Sequence, residues 1–148
     1  MVKAETAAID HRSETLTGLF KRTMQPKAEP RDIRERSFQY ALRAVKLYQH
    51  LQKQRDGAGW VLGKQYLRAA CSIGANIEEA QASESRADFV HKLGIAQKEA
   101  RECLFWLRIL SESEIVLKSK LSNLMRETNE LVSVLTSIVI STKRKRAA

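Results

Sequence analysis

Arg68-Ala-Ala-Cys-Ser-Ile-Gly-Ala-Asn-Ile-Glu-Glu-Ala-Gln81 is the stretch that decides the fold of this chain. Its small residues (Ala69, Ala70, Cys71, Ser72, Gly74, Ala75) let a neighbouring backbone approach closely. Ile73 and Ile77 stand one helical turn apart and mark a core face. Asn76 lies between them, and a buried amide there needs partners. The pattern is that of a helix packed tightly on other helices, and it contains no catalytic set.

Outward from this stretch the periodicity continues. The spacing predicts a helix from about Trp60 to Gln81 with a stripe at Leu62, Tyr66, Ala69, Ile73, Ile77 and Ala80. Ser85, with Asp88 three residues on, resembles a capping box and opens the next helix. Its seam is Phe89, Leu93, Ala96, Ala100, Cys103, Leu107 and Leu110. Ser111 to Glu114 reads as a tight turn. A last helix follows with Leu117, Leu121, Leu124, Thr128, Leu131, Leu135 and Ile138 inward. A second row there (Val132, Val134, Val139, Ile140) exceeds the single stripe a bundle helix needs and suggests a further buried contact. Upstream, Asp32 or Ser37 is a candidate cap for a first helix with Phe38, Ala41, Leu42, Val45 and Tyr48 on one face. Asp56-Gly57-Ala58-Gly59 reads as the loop that ends it.

The fold class is therefore all-α: an antiparallel up-down four-helix bundle with a loosely ordered N-terminal arm. The bundle spans residues 31–142, the arm residues 1–30, and a basic tail residues 143–148. In the arm, Pro26 and Pro30 punctuate the end, and Leu16, Leu19 and Phe20 offer a short amphipathic turn to a partner. The length of 148 residues suits one domain with a real core.

The distinctive stretch resembles the small four-helix-bundle proteins encoded by intervening sequences in bacterial 23S ribosomal RNA genes. The residues that carry the resemblance are Arg68-Ala69 and Ser72 to Ala80. They continue through Ser85 to Phe89, His91 to Ala96, Lys98 to Glu102 and Phe105 to Leu110. The likeness covers about residues 33–142. Gly74 stands where many members have Pro, and Ala80 where many have Gly. The resemblance implies a homo-oligomer, commonly a pentamer, and no known enzymatic activity. A related set of basic bundles serves as accessory subunits of reverse transcriptases in diversity-generating retroelements. That set shares the aromatic-Trp-Leu-Arg run seen at Phe105 to Arg108 and the basic C-terminus.

Composition bounds function. Twenty-six Lys and Arg against seventeen Asp and Glu give a net charge of +9, which favours acidic partners, nucleic acid first. Residues 31–60 hold seven Lys or Arg against three acids. The candidate nucleic-acid-binding residues are Arg34, Arg36, Arg43, Lys46, Lys53 and Arg55 there, extended by Lys64 and Arg68 from the next helix. Lys143, Arg144, Lys145 and Arg146 add four cations, which a helix C-terminus also favours through its dipole. Trp60, Tyr66 and Trp106 could stack on bases or serve the core. Cys71 and Cys103 read as buried reduced thiols of a cytoplasmic protein, with a disulfide between helices as the other option. No signal peptide and no membrane-length apolar run is visible.

Metal, cofactor and active-site patterns are not expected. A di-metal bundle needs two Glu-x-x-His pairs, and Asp88-Phe-Val-His91 is a lone approximation. The glycines at 57 and 59 lack the Lys-Ser/Thr ending of a phosphate loop. Glu99 and Glu102 are expected to pair with surface bases such as Lys92, Lys98 or Arg101. The reading is a non-enzymatic basic homo-oligomeric bundle that binds nucleic acid or a nucleic-acid enzyme such as a reverse transcriptase. The alternative is a protein-interaction scaffold for an acidic protein.

Overall fold

Asp32 starts the first helix: its carboxylate accepts the Arg34 N–H at 3.1 Å. The computed structural model describes residues 32–145, so the arm, Arg31 and Arg146 lie outside the described residues. Four helices follow: α1 Ile33–Lys53, α2 Gly57–Gln81, α3 Arg86–Glu112 and α4 Lys118–Arg144. Short connections make each helix antiparallel to the next, as in an up-down bundle. No helix among the described residues is long and apolar enough to cross a membrane.

The caps explain the boundaries. Asp56-Gly57-Ala58-Gly59 is not a loop: α2 begins at Gly57, and the Asp56 carboxylate accepts the Gly59 N–H at 3.0 Å. A good cap outweighs two poor helix formers in the first turn, where half the backbone bonds are absent anyway. The chain reverses just before it, with Arg55 in the left-handed region at φ 54°. Ser85 caps α3 by accepting the Asp88 N–H at 3.1 Å. The turn after α3 lies slightly later than expected: the helix runs through Glu112, and Glu114 takes φ 59°. α4 continues through Lys143 and Arg144, so part of the basic tail is its last turn.

The stripes expected on α2 and α3 enter the core. Tyr66, Ala69, Ile73, Ile77 and Ala80 are buried, and so are Leu93, Ala96, Ala100, Cys103, Leu107 and Leu110. Leu121, Leu131, Leu135 and Val139 complete the core from α4, whereas Leu117 is 62% exposed at its N-cap. The face expected for α1 is corrected. Phe38, Leu42 and Val45 point to solvent, and Ser37, Tyr40, Ala44 and Leu51 are buried instead. The inner row is chosen by fit. Leu51 nests so closely on Gly63 that a Cβ there would lie 2.6 Å from its Cδ1, and Ser37 sits beside Gly74. The Tyr40 hydroxyl meets Thr128 Oγ1 at 2.6 Å, and Thr128 donates onward to the Leu124 carbonyl at 2.7 Å. Asn76 finds its partners locally, donating to the Ser72 carbonyl at 2.8 Å.

Candidate nucleic-acid interface

Arg146 aside, the predicted cations divide by whether a carboxylate holds them. Arg34 makes a two-bond fork with Glu78 of α2, Nε to Oε1 at 3.2 Å and Nη2 to Oε2 at 3.0 Å. That hydrogen-bonded carboxylate raises the guanidinium pKa further. Arg36 reaches Glu130 and Glu127 of α4, and Arg43 also reaches Glu127. Arg68 of α2 bridges Glu102 and Glu99 of α3. Glu99 and Glu102 therefore pair across helices with Arg68, not with the neighbouring bases of α3, and Lys92 turns to Glu79. These four arginines work as straps between helices.

The other predicted positions differ. Lys46, Lys53, Arg55 and Lys64 are exposed, with no carboxylate within 4 Å among the described residues. Lys143, Arg144 and Lys145 are likewise exposed and unpaired, at the end where cations favour the helix dipole. Across residues 32–145 there are nineteen Lys and Arg and thirteen Asp and Glu. The ion pairs engage only five of the cations but six of the acids. What remains on the surface is more one-sided than the raw composition.

Reading the residues overlooked Lys98, Arg101 and Arg108 on α3. All three are exposed and lack a carboxylate within 4 Å among the described residues. Their spacing of three and seven was a usable signal, since it puts them on one side of a helix. Among the aromatic candidates, Tyr66 is fully buried, Trp106 is half-buried, and Trp60 is 49% exposed while donating to the Tyr48 hydroxyl at 2.9 Å. Cys71 is exposed, not buried as expected, because it falls on the outer side of α2 opposite Ile73. Cys103 is buried, and burial pushes its thiol up to about 12.

An open depression of about 260 Å³ beside the α1–α2 turn is lined by Gln52, Arg55, Asp56, Gly57 and Trp60. Among the described residues, no three His, Cys, Asp or Glu side chains gather where a metal ion could sit.

The model of the 23S rRNA-intervening sequence protein family matches residues 29–137, which is most of the chain. The chain belongs to that family. The family match takes in α1 to α3 and most of α4, and ends before the basic residues at 143–146. A solved member of the S23 ribosomal protein family from Bacteroides thetaiotaomicron, a protein of unknown function, is 38% identical and superposes with a TM-score of 0.69. The alignment covers 73% of this chain and 98% of that one. Comparison with curated proteins gives no match. Membership in the 23S rRNA-intervening sequence protein family thus accounts for the bundle, and the chemistry rests on the side chains.

Proposed function

We propose that this protein is a non-catalytic, self-associating bundle that binds nucleic acid through its unpaired cations. The observation that carries the reading is the charge imbalance left after intramolecular pairing: fourteen described Lys and Arg without a carboxylate partner against seven such acids. Lys46, Lys53, Arg55, Lys64 and the segment Lys143 to Arg146 are the proposed phosphate contacts. Arg34, Arg36, Arg43 and Arg68 would bind only by giving up a carboxylate, so their part is structural. Self-association would use the outer apolar row of α1 (Phe38, Leu42, Val45), with Trp60 and Val61 at the start of α2 as further exposed apolar surface. Copies around an axis would repeat each cationic patch and strengthen a weak contact by effective concentration.

Retardation of a structured RNA on a gel tests the reading. Binding should weaken steeply as salt rises, and replacing Lys143 to Arg146 by Ser should lower the salt slope by about 3 to 4. No retardation at low salt refutes it. The exposed apolar row also favours a second reading, a scaffold for an acidic protein. A partner protein that persists after nuclease treatment, with no RNA retained, would select that scaffold.

A further inference from the structure

The outer side of α3 carries Lys98, Arg101, Phe105 and Arg108 at steps of three, four and three, which confines them to one arc of the helix. All four are exposed, Phe105 by 55%. The nearest carboxylates are accounted for. Glu99 and Glu102 face α2 and hold Arg68, and Glu112 lies a turn beyond Arg108 with no ion pair to it.

Phe105 is also held in place. Trp106 meets it edge-on, with ring centroids 5.0 Å apart and planes at 68°. The Trp106 indole N–H donates to Glu102 Oε1 at 3.0 Å, and the same carboxylate takes Arg68. The chain Arg68–Glu102–Trp106 thus holds the indole that packs against Phe105, and the Phe105 side chain still stays 55% exposed. A fixed, solvent-facing ring loses little entropy when a flat partner covers it.

Two costs select the partner. An apolar protein surface laid over Phe105 would also desolvate these three cations with no anion to compensate them. A duplex offers phosphates but keeps its base faces stacked inside. A single strand offers both a repeating anion and free base faces, the combination met by stacking platforms set in basic grooves. We infer that the outer stripe of α3 binds single-stranded nucleic acid, with a base stacked on Phe105 and phosphates on Lys98, Arg101 and Arg108. This deepens the reading above and rests on it.

The test is fluorescence anisotropy of the full chain with labelled oligouridine, beside a labelled RNA hairpin. Phe105→Ala should weaken oligouridine binding about tenfold with an unchanged salt slope, and Phe105→Tyr should bind like wild type. Lys98→Ser, Arg101→Ser and Arg108→Ser together should lower the salt slope by about 2. Circular dichroism confirms that each variant keeps its helices. Oligouridine binding that is the same in wild type, Phe105→Ala and the triple variant overturns the stripe. Hairpin binding without oligouridine binding overturns it too, and leaves the broader nucleic-acid reading standing. Failure of wild type to bind either ligand overturns both.

Discussion

Phe38 on α1 and Phe105 on α3 are almost equally exposed, at 56% and 55%, yet they stand in opposite surroundings. One turn on from Phe38 comes Leu42, then Val45. Phe105 has Arg101 a turn before it and Arg108 a turn after. The two helices also carry equal numbers of cations, five each. Among the described residues, α1 ties three of its five to glutamates of α2 and α4, and α3 ties only Lys92. A helix that ties its charges down inside the subunit leaves an apolar outer face suited to protein. A helix that leaves them loose keeps a face suited to an anion. Exposure alone does not tell which partner a surface aromatic awaits; the neighbours at i±3 and i±4 do.

The largest test of this contrast is a charge placed on each face. Phe38→Glu with Leu42→Glu should reduce the proposed self-associated species to single chains in analytical ultracentrifugation. Each lost apolar burial is worth about 1.5–3 kcal/mol, so association should weaken by a hundredfold or more. Phe105→Glu should leave the sedimenting mass unchanged. A loss of assembly with Phe105→Glu would erase the distinction between the two faces.

The next effect concerns the glycines behind each face. A methyl at Gly63 meets the fully buried Leu51 of α1, whereas a methyl at Gly94 on α3 meets nothing within 4 Å. Gly63→Ala should destabilise by about 1 kcal/mol, as overpacking outweighs the gain in helix propensity. Gly94→Ala should stabilise by up to about 1 kcal/mol from propensity alone. Urea melts of the two should separate by about 2 kcal/mol. Equal shifts would mean that α1 is not pinned by Leu51, and that its outer row is free to turn inward.

A smaller difference is expected between two buried tyrosines. Tyr40 and Tyr66 meet edge to face, with centroids 6.4 Å apart, and burial raises both phenol pKa values well above the usual range. Tyr40 has a hydroxyl partner, Thr128; among the described residues the Tyr66 hydroxyl has no hydrogen-bond partner. Tyr40→Phe should cost about 1 kcal/mol, and Tyr66→Phe should be neutral or stabilising because it removes an unsatisfied polar atom. The reverse order would show that the Tyr40–Thr128 bond does not set which side of α1 faces inward.

That choice of side is where reading the sequence fell short. The stripes of α2 and α3 were legible because each has a long unbroken apolar row spaced by threes and fours. α1 has two rows, and the larger one, Phe38–Leu42–Val45, is outside. The buried row includes Ser37, Ala44 and a tyrosine whose partner lies 88 residues away in sequence. Nothing local to α1 announces Thr128. The same distance hid the state of the arginines. Arg36 and Arg43 look like surface charge until α4 brings Glu127 and Glu130 beside them. Lys98, Arg101 and Arg108 were legible in principle, since their freedom needs only helical spacing and the diversion of Glu99 and Glu102 to Arg68.

The smallest effect tests the brace behind Phe105. The Glu102 carboxyl is held below the ordinary carboxylate range, first by the Trp106 indole N–H and then by Arg68. A depressed carboxyl stabilises the fold above its unfolded pKa of about 4.3, and that contribution fades as pH falls through the lower folded value. Glu102 is about a third exposed and Arg68 half exposed, so solvent screening limits the contribution to a few tenths of a kcal/mol. Glu102→Gln should therefore lower the melting temperature slightly at pH 7, and the difference from wild type should vanish as pH falls well below about 4.3. The amide oxygen can still accept from Trp106, so oligouridine binding should fall less than in Phe105→Ala. A loss as large as that of Phe105→Ala would mean the charge of Glu102, rather than its hydrogen bond, keeps the ring presented, and would move the weight of the site from stacking to the Arg68 network.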